Sequence, residues 1–78
     1  MQGIINNSIM VEVFKTNVEE RKASEQIIQG LVEQFPLHKV NFDLEDCDRI
    51  LRVHGQYFSA KRIIELVKEN GYECEILV

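Results

Sequence analysis

The chain has no run approaching the roughly 20 consecutive apolar residues that a membrane span requires, which excludes a membrane-spanning reading. It also lacks an excess of basic charge: Lys and Arg number 9 against 13 Asp and Glu, for a net charge of -4. Phosphate backbones and anionic lipid attract proteins through clustered Lys and Arg, so neither nucleic acid nor a membrane surface is an expected partner. Cysteine is scarce. Cys47 and Cys74 fit no zinc-ligand spacing, and a reducing compartment keeps such thiols free. The carboxylates follow no EF-hand spacing. The residues before Met10 have neither a basic start nor an apolar stretch of leader length, so a cytoplasmic home is the default expectation. Neither His38 nor His54 has an adjacent Ser or Cys to activate. No catalytic set, resident cofactor or enzyme activity is therefore expected.

What is present is enough for one small domain. A chain of 78 residues buries only about 60% of its unfolded surface, so one layer of helices on one sheet is the core it can build. Apolar residues at 45% and charged residues at 28% are ordinary for a globular protein. Residues 1–8 have no usable period and read as a loose lead-in, leaving 9–78 as the domain. Strand 1 is expected over 10–14, with Val11 and Val13 turned to the core and Glu12 and Phe14 turned away. Asn17 followed by Glu20 has the spacing of a capping box, in which the Asn side chain accepts from a free helix amide and the Glu reaches back to the cap. Helix 1 then presents Ala23, Ile27, Leu31 and Phe35 on one face, widened by Ile28 and Val32, until Pro36 ends it. Gly30 inside it costs about 1 kcal/mol relative to Ala, which a close approach to the sheet would explain.

Residues 39–44 alternate, with Val40, Phe42 and Leu44 inward, and 45–48 form a polar hairpin turn. Strand 3 over 49–54 pairs Leu51 and Val53 on one face against Ile50, Arg52 and His54 on the other. Ser59 caps a second helix carrying Ile63, Ile64, Leu66 and Val67, which stops at Asn70-Gly71. Strand 4 covers 72–78, with Cys74 and Ile76 toward the core. The order βαββαβ predicts an α+β, ferredoxin-like sandwich: four antiparallel strands in spatial order 4-1-3-2, with both helices on one face. That layout places Cys47 and Cys74 on opposite edges, roughly 14 Å apart at about 4.8 Å per strand, beyond disulfide reach.

Residues 11–20, then Ala23, Ile27, Ile28 and Leu31, then residues 40–44 and Gly71-Tyr72, resemble a heavy-metal-associated domain of the copper-chaperone type. The resemblance covers nearly all of the chain after Ser8. It implies the same fold and a metal-loop ancestry at the joint between strand 1 and helix 1. In that family a Met-Thr-Cys-x-x-Cys joint supplies two thiolates to a soft ion, and the matching positions here are Lys15, Thr16, Asn17 and Glu20. Soft metals select thiolate and thioether ligands, so the amide of Asn17 and the carboxylate of Glu20 do not replace them, and no metal is expected at the joint. Lys15, sharing parity with Val11 and Val13, is expected on the helix side.

Two surfaces remain as candidates. Glu19, Glu20, Glu45, Asp46, Asp48, Glu69 and Glu73 gather at one end of the sheet and would suit a hard cation or a basic partner. The helix-free sheet face carries Phe14, Ile50, Arg52 and Leu77, a small apolar patch rimmed by charge of the kind that docks a protein partner or a second copy. The expected function is a small non-enzymatic interaction module. A metal-binding protein using non-Cys ligands and a dimeric small-molecule sensor of similar topology are the alternatives.

Overall fold

The computed structural model describes residues 9–77, so the lead-in expected over 1–8 and the last expected strand residue, Val78, lie outside it. The elements are β1 (Ile9–Thr16), α1 (Arg21–Gln34), β2 (Lys39–Asp43), β3 (Ile50–Gln56), α2 (Ala60–Glu69) and β4 (Cys74–Ile76). The strands are antiparallel in the order β2-β3-β1-β4, the expected arrangement read from the other edge. The helices bury one face of this sheet and leave the other free, giving the ferredoxin-like α+β sandwich.

The core forms where α1 contributes Ala23, Ile27 and Leu31, α2 contributes Ile63, Leu66 and Val67, and β3 contributes Leu51 and Val53. Val40 and Phe42 of β2 pack against this cluster but stay half-buried, because β2 is an edge strand. The apolar stripe of α1 is narrower than the sequence implies: Ile28 is half-buried and Val32 is exposed. Gly30 makes no close approach either. A Cβ built on it would meet nothing within 4 Å, so its helix-weakening cost has no packing reason. Gly55 is the glycine that packing requires, since a Cβ there would overlap the His38 ring.

The second helix starts and stops as its sequence dictates. Ser59 accepts a hydrogen bond from the Arg62 amide at 3.3 Å. At the other end Gly71 takes φ 91. The Tyr72 N–H donates to the Val67 carbonyl at 3.3 Å and the Gly71 N–H to that of Lys68 at 2.9 Å. These two bonds are the Schellman pattern, which needs a left-handed residue just past the helix and therefore favours glycine there.

The facing of β1 reverses the expectation. Phe14 is fully buried in the core cluster, opposite Leu51, and Glu12 lies opposite Val53 on the same face. Val11, Val13 and Lys15 point to the helix-free side. In β1 each parity set carries apolar residues and one charge, so alternation alone does not choose between them. Three energies do. Phe14 buries more apolar area than a valine, exposing Lys15 avoids burying an ammonium, and inward Thr16 satisfies its hydroxyl. Thr16 is buried, with Oγ1 donating to the Arg49 carbonyl at 2.6 Å and accepting from the Val18 amide at 3.2 Å.

Candidate functional site

With β1 turned over, the helix-free face is built from cross-strand ranks. Lys39, His54 and Val11 form one rank, and Asn41, Arg52 and Val13 the next. Asp43 and Ile50 follow, and Lys15 sits beside Glu75. Leu77 joins the second rank, its N–H donating to the Val13 carbonyl at 2.9 Å. Ile9 and Val11 are 54% and 53% exposed and Leu77 40%. The result is an apolar row along the outward side of β1, flanked by Lys39, Arg52 and His54 on one side and Glu75 on the other. Val11, Lys39, Asn41, Arg52 and His54 also line a shallow groove across the three strands.

Of the four residues expected on this face, Arg52 is exposed and within 3.5 Å of the Asn41 side-chain oxygen, and Leu77 is exposed. Ile50 has the expected parity but only 4% of its surface is accessible, so it supports the face rather than offering contact area. Phe14 does not belong to the face at all. Its place is taken by Val11 and Val13, which the sequence reading turned inward, and by Ile9, which lies before the expected start of strand 1 and belongs to β1. The alternation of Val11 and Val13 was visible, but not its direction.

At one end of the sheet three loops are stitched together, as the topology implies. The Thr16 amide donates to the Asp48 carbonyl at 3.0 Å, tying β1 to the β2–β3 hairpin. Asn17 Oδ1 accepts from the Glu73 amide at 2.8 Å, tying it to the turn before β4. Asn17 is therefore not a helix cap. The N-cap is Glu20, whose side chain makes no capping bond, so the expected capping box is not formed. The long-range partner claims the one Asn oxygen that would have capped.

Arg49 is the hub that sequence reasoning missed. Its φ of 45 lies in the left-handed region, closing the hairpin with its amide on the Asp46 carbonyl at 2.9 Å. Its guanidinium donates to the Leu44 carbonyl at 2.6 Å and lies 3.9 Å from the Glu19 carboxylate. Among the described residues Asp46, Cys47 and Asp48 place ligand atoms within 4.8 Å of one another, and Asp46 Oδ1 already accepts from the Asp48 amide at 2.8 Å.

His38 and Cys74 are packed into the fold. His38 stacks edge-on with Phe35 and Phe58, at centroid distances of 5.5 and 5.3 Å, and its Nε2 lies 2.7 Å from the Gln56 carbonyl. A carbonyl can only accept, so Nε2 carries the proton. The thiols are unpaired. Cys47 is exposed and Cys74 buried, and burial pushes the Cys74 thiol up to about 12, Lys68 opposing and Glu75 reinforcing the rise to smaller extents. A thiol held neutral is a poor nucleophile. Lys15, expected on the helix side, is exposed on the opposite face. No described helix is long and apolar enough to cross a membrane. No family model matches the chain, and no curated protein matches it.

Proposed function

We propose that this chain is a small non-enzymatic interaction module that presents the helix-free sheet face to a protein surface. The observation that carries this reading is the exposed row of Ile9, Val11 and Leu77 along and beside β1. An apolar row rimmed by Lys39, Arg52, His54 and Glu75 has the composition of a modest interface, apolar at its centre and charged at its border. A photoreactive side chain placed at Val11 or Leu77 should crosslink in cells to a protein. The same group at Lys22, exposed on α1, should not. Absence of crosslinks from both sheet positions, or equal capture from Lys22, would sink the reading.

The scaffold is read as a heavy-metal-associated domain that has lost its thiolates. Support comes from the βαββαβ order and from Thr16 at the position where the family has its loop threonine. The joint carries the Thr16 to Arg49 and Asn17 to Glu73 hydrogen bonds. If that descent is right, Asn17→Cys with Glu20→Cys should compete for Cu(I) against a chelator while the unmodified chain does not. A folded double variant that fails to bind would remove the descent while leaving the interaction reading intact. The carboxylates of Asp46 and Asp48, whose oxygens lie within 4.8 Å of each other, favour one alternative, a hard-cation site at the hairpin that uses oxygen ligands. Titration with Zn2+ and Ca2+, followed at the backbone amides of residues 45–49, decides it.

A further inference from the structure

We infer that the outer edge of β1 pairs with the β1 edge of a second copy of this chain. The inference rests on the interaction reading above and names its partner. The Val13 carbonyl accepts from Leu77, so the backbone of Val13 faces the β4 side. Alternation along a strand then turns the N–H and C=O groups of Val11 and Ile9 to that same edge, while those of Met10 and Glu12 serve β3. β4 pairs with β1 only at Phe14, Lys15 and Thr16, beyond which Leu77 reaches Val13. Among the described residues, Val11 and Ile9 thus present backbone donors and acceptors on the β4 side with no strand partner. Edges of this kind template pairing with another chain unless charge, proline or a bulge blunts them. Ile9, Met10 and Val11 carry no charge and no proline.

The stretch is self-complementary. An antiparallel second copy related by a two-fold axis at Met10 sets Ile9 of each chain opposite Val11 of the other, and every outward N–H then meets an outward C=O. The same operation lays the exposed side chains of Ile9 and Val11 against their counterparts on the helix-free face, so the apolar row continues across the junction. This register stops short of Val13, whose backbone is already engaged by Leu77. Three residues a side cover much less than the roughly 1,200 Å2 of a stable specific interface. The pair is therefore weak, reversible and concentration-dependent.

Hydrogen exchange on the full chain reads the edge directly. The Ile9 and Val11 amides should gain about threefold protection or more between about 10 μM and about 1 mM, because exchange then requires the pair to open. Sedimentation over the same range should show a shift toward dimer. Val11→Pro removes an outward N–H that the β3 ladder does not use, and should abolish the shift, whereas Val11→Thr retains it. Free exchange of both amides at the highest concentration overturns the inference. So does protection that is equal at every dilution, the result expected if residues 1–8 of the same chain cover the edge. If Val11→Pro fails to fold, exchange on the unmodified chain still decides. Crosslinking from Val11 to a different protein, with no self-association, overturns the pairing and leaves the interaction reading standing.

Discussion

Phe14 is the residue on which the two possible facings of β1 disagree most. It is fully buried and lies opposite Leu51 in the centre of the sheet. An aromatic side chain buries about 150–250 Å2, worth about 4–6 kcal/mol at about 25 cal/mol per Å2. Truncation to Ala retains part of that transfer energy and adds a cavity term, so Phe14→Ala should cost about 3–5 kcal/mol. A domain of this length has a total stability of only about 4–12 kcal/mol. Each kcal/mol shifts the midpoint by about 4–8 °C at this size, so thermal unfolding followed by far-UV circular dichroism should show a fall of about 12 °C or more. Some preparations would be unfolded at room temperature. Val11→Thr is the control. It changes an exposed side chain without altering β-branching and should move the midpoint by less than about 4 °C, within the range of ordinary surface substitutions. If Phe14→Ala melts within about 4 °C of the unmodified chain, or if Val11→Thr is the more damaging of the two, the facing described for β1 is wrong.

Asn17 and Glu20 should separate in the same assay. Asn17→Ala leaves the Glu73 amide without its acceptor and should cost about 1 kcal/mol, with faster hydrogen exchange at Glu73. Glu20→Ala removes no capping bond and should stay within about 0.5 kcal/mol; a larger loss from Glu20 than from Asn17 would restore the capping-box account. The thiols give a pH prediction. Since the Cys74 thiol titrates near 12 in the folded chain against an ordinary 9.0, the folded state holds a proton that the unfolded state releases. Cys74 should therefore favour folding fully below about 9, and that contribution should fall as pH rises from there toward about 12. At pH 8 a thiol reagent should titrate Cys47 alone in the native chain and both cysteines in denaturant; rapid modification of both without unfolding would contradict the burial of Cys74.

The helices and β3 were legible because each has one apolar face and one polar face. Ala23, Ile27 and Leu31 recur every four residues, and Leu51 and Val53 alternate with Arg52 and His54, so only one orientation buries the apolar set. β1 gives no such contrast. Its direction is decided by pairing with β3 and by the Thr16 hydroxyl finding the Arg49 carbonyl 33 residues away, neither of which leaves a local trace. The spacing of Asn17 and Glu20 failed for the same reason: Asn17 Oδ1 is engaged by an amide 56 residues later in the chain. Gly55 could not be read as a packing requirement without knowing that the His38 ring lies over it. On the helix-free face, Arg52 and Leu77 lie where expected because β3 and β4 were oriented correctly, and Phe14 was misplaced because β1 was not.

The strand order has a consequence for how the chain acquires its structure. The central strands β1 and β3 come from different halves of the sequence, and each half supplies one edge strand beside the other half's central strand. A ribosome that has released only β1, α1 and β2 has therefore released two strands that do not pair with each other and a helix with no sheet to cover. The first half has to wait in solution until β3 arrives between its strands. Folding is then a late event in synthesis, governed by closure of non-local loops rather than by helix formation. During that interval the apolar residues of β1 are accessible on both faces.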